Sequence, residues 1–209
     1  INDILEISKI EQGKLEISGY DFNLQESLEE QLEVFKIQAE TEHKNFSASL
    51  DIEDACVRSD WRRTQQVLNN LLSNAFKFTG ENGAISLSVH EIKEVNSRYR
   101  KYQFIISDTG IGMSREFLKK IYEPFEREKR FGAANVAGTG LGMAIVHNLV
   151  LQMAGTIESD SELGKGSTIT VTLPFLPGAE KEPEKKREQI LETADLSGYR
   201  VLLAEDNEI

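Results

Sequence analysis

A chain of 209 residues, 39% of them hydrophobic and with a formal net charge of −11, can bury one good-sized core with appendages, or two small ones. Its acidity argues against general nucleic-acid binding and against an anionic membrane surface. Its single cysteine, Cys56, excludes a disulfide framework and a cysteine-rich zinc site, and fits a small buried hydrophobe in a reducing, cytosolic setting.

No apolar run reaches the ~18 residues of a spanning helix, and these residues are not expected to hold a secretory leader. The chain opens at Ile1 and stops in VLLAEDNEI, the pattern expected of a piece of a longer protein. Ile1, Ile4, Leu5 and Ser8 recur at helical intervals before Gly13, as the tail of a longer helix would. KLEISGYDFNL is extended. A helix is predicted over Gln25–Glu42, with Leu28, Leu32 and Phe35 inward. NFSASLDI then alternates as a half-buried strand, with Phe46, Ala48, Leu50 and Ile52 on one side. Asp60 caps a second helix that runs to Phe78. Strands follow over AISLSVHEI and YQFIISD. SREFLKKIYEPF is predicted as a short helix capped by Ser114, and residues 126–140, without periodicity, as a mobile loop. A helix over Leu141–Ala154, then Gly155 and strands over Thr156–Ser161 and Ser167–Leu173, close the pattern. PGAEKEPEKKREQ is a charged, proline-punctuated linker. The expected fold is an α/β (α+β) two-layer sandwich, a mixed, largely antiparallel sheet covered by helices on one face.

Three constellations carry chemistry. In QQVLNNLLSNAFKFT, Gln66, Asn70, Asn74 and Lys77 form one polar stripe opposite Val67, Leu68, Leu71, Leu72 and Ala75. Asparagine is a poor helix former, so two on one face need a reason. A solvated face is one; an asparagine oxygen on Mg²⁺, which favours hard oxygen ligands, is the other, with Lys77 as a point charge beside phosphate. In IISDTGIGM, Asp108 ends a buried strand. It either caps the turn or accepts from a ligand donor such as the exocyclic amine of adenine, with Gly112 allowing a close backbone approach. GTGLGMAIV leads three glycines into a helix, offering amides and the positive helix end to an anion. A dinucleotide fingerprint needs a strand immediately before it, but EREKRFGAANVA stands there; GKGST lacks the first glycine of a P-loop. His43, His90 and His147 read as ordinary surface or packing histidines.

The order NLLSNAFKF, DTGIGM, EPF, GTGLGMAI, GKGST, within 99 residues, resembles the catalytic and ATP-binding domain of sensor histidine kinases, in the wider group (the Bergerat fold) of gyrase, Hsp90 and MutL. The resemblance covers residues 14–176. It implies that Asn74 holds Mg²⁺, with Asn70 and Lys77 near the phosphates and Phe78 packed on adenine. Asp108 would bind the adenine amine, with Gly110, Ile111 and Gly112 shaping that pocket. Phe125 would anchor a lid over Glu126–Ala137. Gly138, Thr139, Gly140, Leu141 and Gly142 would wrap the phosphates, and Thr168 would support the base through its hydroxyl.

In the group's hydrolytic members a glutamate four residues before the metal-binding asparagine activates water. Here that position is Asn70, which cannot take a proton. The resemblance therefore implies an ATP-dependent protein-histidine kinase with ADP as product, ahead of a hydrolytic ATPase or a nucleotide-sensing module. Residues 1–13 resemble the end of the dimerisation and phosphoacceptor hairpin, whose histidine lies upstream, so this chain should bind ATP without autophosphorylating. Residues 177–198 are a linker. Residues 199–209, with Glu205 and Asp206, resemble the first strand of a receiver domain, implying a hybrid kinase. The implied setting is cytoplasmic, without nucleic-acid or direct membrane contact by these residues; the parent's membrane attachment is left open.

Overall fold

A computed structural model describes residues 5, 7, 8, 12, 16–93, 97–128 and 139–179. The chain divides into two compact units, Ile1–Ala179 and Glu180–Ile209, and every described residue belongs to the first. Most of the stretch expected to be a hairpin end, the greater part of the expected lid with Gly138, and, from 180 onward, the stretches expected to be linker and receiver lie outside the described residues. Among the described residues no helix is long and apolar enough to cross a membrane.

The elements are β1 (Tyr20–Asn23), α1 (Leu24–Thr41), β2 (Asn45–Asp51), β3 (Cys56–Ser59), α2 (Trp61–Phe78), β4 (Ala84–Ile92), β5 (Arg100–Asp108), α3 (Arg115–Leu118), α4 (Gly142–Gln152), β6 (Thr156–Glu162) and β7 (Gly166–Pro177). Both long helices start where their sequences offer a cap. Asn23 accepts from Glu26 N at 3.1 Å, and Asp60 from Arg63 N at 3.2 Å, each satisfying an orphan amide of the first turn. The sheet runs β1-β3-β7-β5-β4-β2, with β6 also on β7. All pairs are antiparallel except β2 with β4. This is the expected mixed, largely antiparallel sheet.

Period-two alternation buries Ile85, Leu87 and Val89 of β4, Tyr102, Phe104 and Ile106 of β5, and Ile169, Val171, Leu173 and Phe175 of β7. They form one core with Leu28 and Leu32 of α1, Leu68 and Leu72 of α2, and Ile145 and Leu149 of α4. The opposite face of the central strands carries Ser86, Ser88, Gln103, Ser107, Thr168, Thr170 and Thr172, none of which belongs to that core. Among the described residues, helices therefore cover one face only.

Four expectations shift. Phe46, Leu50 and Ile52 pack on the core, but Ala48 is exposed, because β2 is an edge strand paired only with β4. The strand CVRS has no counterpart among the predicted elements. It forms because β1 pairs along all four of its residues, and β7, running on to Pro177, pairs Val57 and Arg58 with Pro177 and Leu176. Cys56 on this strand is half-buried rather than buried, its thiol facing Ala179 O at 3.1 Å. The helix over SREFLKKIYEPF keeps its Ser114 cap, which accepts from Phe117 N at 3.1 Å, but ends at Leu118. Pro124 disfavours helical backbone at Glu123, and Phe125 adopts a φ of 66°. Turns then carry the chain to place Ile121 inward and the Tyr122 hydroxyl 2.5 Å from Ser159 Oγ.

Tyr102 lies wholly inside, its hydroxyl donating to Asp54 O at 2.6 Å. Burial pushes its phenol up to about 12. The folded state thus keeps this proton where the unfolded chain, near 10, has lost it. Stability from this group is full below pH 10 and lost as pH rises toward 12. Thermal unfolding across this range should show a fall of roughly 2 kcal/mol that is smaller in Tyr102→Phe; an equal fall in both proteins would contradict it.

Candidate nucleotide site

A cavity of about 250 Å³ opens between α2, the ends of β5 and β7, the segment after α3 and the start of α4. On its α2 wall stand Asn70 and Asn74, one helical turn apart. Asn70 Nδ2 donates to Gln66 O at 3.0 Å. Its Oδ1 is directed at α4: a Cβ on Gly142 would lie 3.1 Å from that oxygen and 4.0 Å from Asn74 Nδ2. Glycine at 142 therefore lets the start of α4 come against both amides. Leu141 at the N-cap offers no side-chain bond to α4, so the first-turn amides keep their positive end turned outward. Leu141 itself is wholly buried in the core, which leaves only its backbone for an anion. Thr139, Gly140 and Gly142 line the cavity.

At the other end, Asp108 closes β5. Its Oδ1 accepts from Gly110 N at 2.8 Å. Burial raises its pKa, and the backbone amides of Gly110 and Ser167 partly offset that rise. A desolvated carboxylate held by amides seeks a further donor. The turn after Asp108 is wedged between two backbones. Ile111 N donates to Phe78 O at 3.2 Å and Gly164 N to Ile111 O at 2.8 Å. A Cβ on Gly110 would meet Phe78 O at 2.5 Å, and one on Gly112 would meet Glu162 O at 2.0 Å. Ile111 and Gly112 line the cavity. Gly110 does so only indirectly, by seating the turn on the end of α2. Gly112, read as an approach to a base edge, has the place of its missing side chain filled by the Glu162 carbonyl.

Phe78 lines the cavity beside Lys77, whose Nζ lies 5.0 Å above the Phe78 ring centroid. Partial burial, and secondarily Arg127, lower the Lys77 pKa, so two cations meet at the rim. Phe125 departs from expectation. It is 66% exposed and touches the lid root through its backbone, donating to Gly140 O at 3.0 Å.

Thr168 is also displaced. Register pairs it with Ser107, hydroxyl to hydroxyl at 2.9 Å, on the face away from the helices. Its neighbour Ser167, opposite Asp108, lines the cavity instead. The alternation of YQFIISD holds that signal: Tyr102, Phe104 and Ile106 point inward, so Asp108 does too, and its partner must share the side. The apolar wall of Met113, Phe117, Ile121 and Met143 escapes sequence reasoning, since it joins residues of two helices, α3 and α4, with residues of the turns beside α3.

The profile of the "Histidine kinase-, DNA gyrase B-, and HSP90-like ATPase" family matches residues 59–177. The chain is 36% identical over 208 residues to the autoinducer 2 sensor kinase/phosphatase LuxQ of Vibrio vulnificus, covering 99% of this chain and 24% of that protein. It is 32% identical over 177 residues to the histidine protein kinase DivJ of Caulobacter vibrioides, 84% of this chain and 28% of the relative. It thus spans about a quarter of the length of these relatives. Among solved structures, full-length ShkA in complex with AMPPNP superposes with a TM-score of 0.69 at 26% identity, over 85% of this chain and 35% of that one. The nucleotide-free catalytic domain of histidine kinase ThkA gives 0.61 at 28%, over 75% and 97%. With the motifs gathered on one cavity and the sheet covered on one face, the chain belongs to the histidine kinase-, gyrase B- and Hsp90-like ATPase family, as an ATP-binding catalytic domain of the sensor histidine kinase type.

Proposed function

We propose that this domain binds Mg·ATP in the cavity and donates the γ-phosphoryl group to a histidine on a helical hairpin upstream of residue 14, within a phosphorelay that continues to a receiver domain beginning near residue 199. The observation that carries this reading is the pairing of ends. One holds a desolvated carboxylate, Asp108; the other holds two amide side chains facing an uncapped helix start. A purine amine suits the first, and a metal-bound triphosphate suits the second.

Asn74 is the residue assigned to Mg²⁺, an ion that keeps phosphate and water oxygens and needs few protein ligands. It would neutralise charge on the transferring phosphoryl group. Lys77 supplies a cation at the rim, and Phe78 an apolar wall for the base. Asn70 stands where a hydrolytic member carries its base and cannot accept a proton, so an acceptor must bring its own. Positioning and charge neutralisation then carry the reaction. The crystallised complex of ThkA with response regulator protein TrrA, 25% identical with a TM-score of 0.62, supports a response-regulator partner.

Calorimetry on the 209-residue chain should show saturable binding of one ADP that weakens when Mg²⁺ is chelated. A well-folded sample without adenine-nucleotide affinity overturns the proposal. The longer chain that includes the hairpin should take up acid-labile label from γ-labelled ATP. Steady phosphate release without label would instead indicate a hydrolase, and binding without either a sensing module.

A further inference from the structure

Lys44, in the turn between α1 and β2, keeps a side chain only 9% exposed. A lysine is seldom withdrawn so far from water without partners. Its Nζ has two close ones, Glu42 Oε2 and Phe76 O, each at 2.5 Å, and lies 5.8 Å from the Phe76 ring centroid. The bond from Lys44 is also the leading cause of the lowered Glu42 pKa.

The contact with Phe76 O bears on the end of α2. The last turn of a helix leaves carbonyls with no partner inside the helix. In α2, Ala75 O is taken by Thr79 N at 3.1 Å, Phe76 O by the Lys44 ammonium, and Phe78 O by Ile111 N at 3.2 Å. Lys77 and Phe78, the cavity residues of this turn, are thus held from either side by the last two bonds. A cation at a helix C-terminus also complements the helix dipole. The turn bearing Lys44 is itself fixed: Lys44 N donates to Ala39 O at 2.9 Å, Asn45 N to Gly83 O at 2.8 Å, and Asn82 N to His43 O at 2.7 Å.

From these contacts we infer that Lys44 is a positioning residue for the nucleotide site, holding the terminal turn of α2 so that Phe78 and Lys77 keep their places at the cavity. Lys44 does not line the cavity; it acts through the helix end. This rests on the reading of the cavity as a nucleotide site.

The test is ADP binding with Mg²⁺, by calorimetry on the full chain well below its unfolding midpoint. Lys44→Met keeps the aliphatic stem and removes the ammonium; its affinity should fall about tenfold. Lys44→Arg, which keeps a cationic donor for Phe76 O, should bind more tightly than Lys44→Met. Tyr102→Phe, which weakens the fold away from the cavity, should bind like the unaltered chain. Unchanged affinity in Lys44→Met, or an equal loss in Tyr102→Phe, overturns the inference, since the lysine would then serve stability alone. If Lys44→Met does not fold, the milder Lys44→Gln takes its place under the same two criteria. Absence of ADP affinity in the unaltered chain overturns the nucleotide reading and this inference together, so the two failures are told apart.

Discussion

Asp108→Asn should lower affinity for Mg·ADP about a hundredfold while leaving the domain folded, with an unfolding midpoint at neutral pH equal to or above that of the unaltered chain. The two halves of this result have one cause. Burial raises the Asp108 pKa above its ordinary 3.8, against the opposing pull of the Gly110 and Ser167 amides. The folded state therefore holds this proton more tightly than the unfolded chain does. Ionising Asp108 costs stability above the ordinary value, and the cost is relieved as pH falls through the raised one. An amide carries no such cost, and its oxygen can still accept from Gly110. What it loses is the charge-assisted bond to an incoming amine, worth a few kcal/mol in a dry pocket. Calorimetry and thermal unfolding on the same samples separate these effects. In the unaltered chain, ADP affinity should also fall as acid protonates Asp108, and the Asn variant should lack that acid-dependent loss. A variant that binds as tightly as the unaltered chain removes Asp108 from the site.

This carboxylate is legible in the sequence because two periodicities meet on it. Strand alternation fixes which way Asp108 points, and the glycines after it fix where the strand stops. Helix α2 is legible for a similar reason: a cap at Asp60, an apolar stripe and a polar stripe all agree. Thr168 is misplaced by a single residue, which in a strand sends the side chain to the opposite face; pairing GKGST against IISD selects Ser167. Leu141 groups with its glycine neighbours by motif, although a leucine at a helix start is drawn to the core when neighbouring helices cover it. Local sequence cannot give β3, because its pairing depends on β1 and on how far β7 extends. Nor can it give the end of α3, where Ile121 and Tyr122 are claimed by distant partners while Pro124 interrupts the helix. Lys44 is invisible for the same reason: its partner carbonyl lies 32 residues away.

Gly112→Ala should cost about 3–5 kcal/mol of stability, whereas Gly164→Ala, in the turn that bonds to Ile111, should cost only about 1 kcal/mol. Both glycines have positive φ, 64° and 76°, so backbone strain alone predicts similar losses. Their surroundings differ. A Cβ at 164 meets nothing within 4 Å, while one at 112 would sit 2.0 Å from Glu162 O and 2.7 Å from Glu162 C. Those are backbone atoms of the β6–β7 hairpin and cannot rotate aside. Relief requires moving the hairpin, which strains the bonds from Gly164 N to Ile111 O and from Met113 N to Ser161 Oγ, each 2.8 Å. Overpacking with broken bonds places the cost at about 3–5 kcal/mol, a large share of the ~5–15 kcal/mol that holds a domain together. Urea unfolding of the two variants beside the unaltered chain measures both. If Gly112→Ala stays within about 1 kcal/mol of Gly164→Ala, the wedge between α2 and the hairpin is not what requires the glycine. A Gly112→Ala protein that folds normally and loses only its nucleotide would show that the residue serves the ligand. One that loses several kcal/mol more than Gly164→Ala shows that the cavity floor is a by-product of how tightly three backbones are stacked.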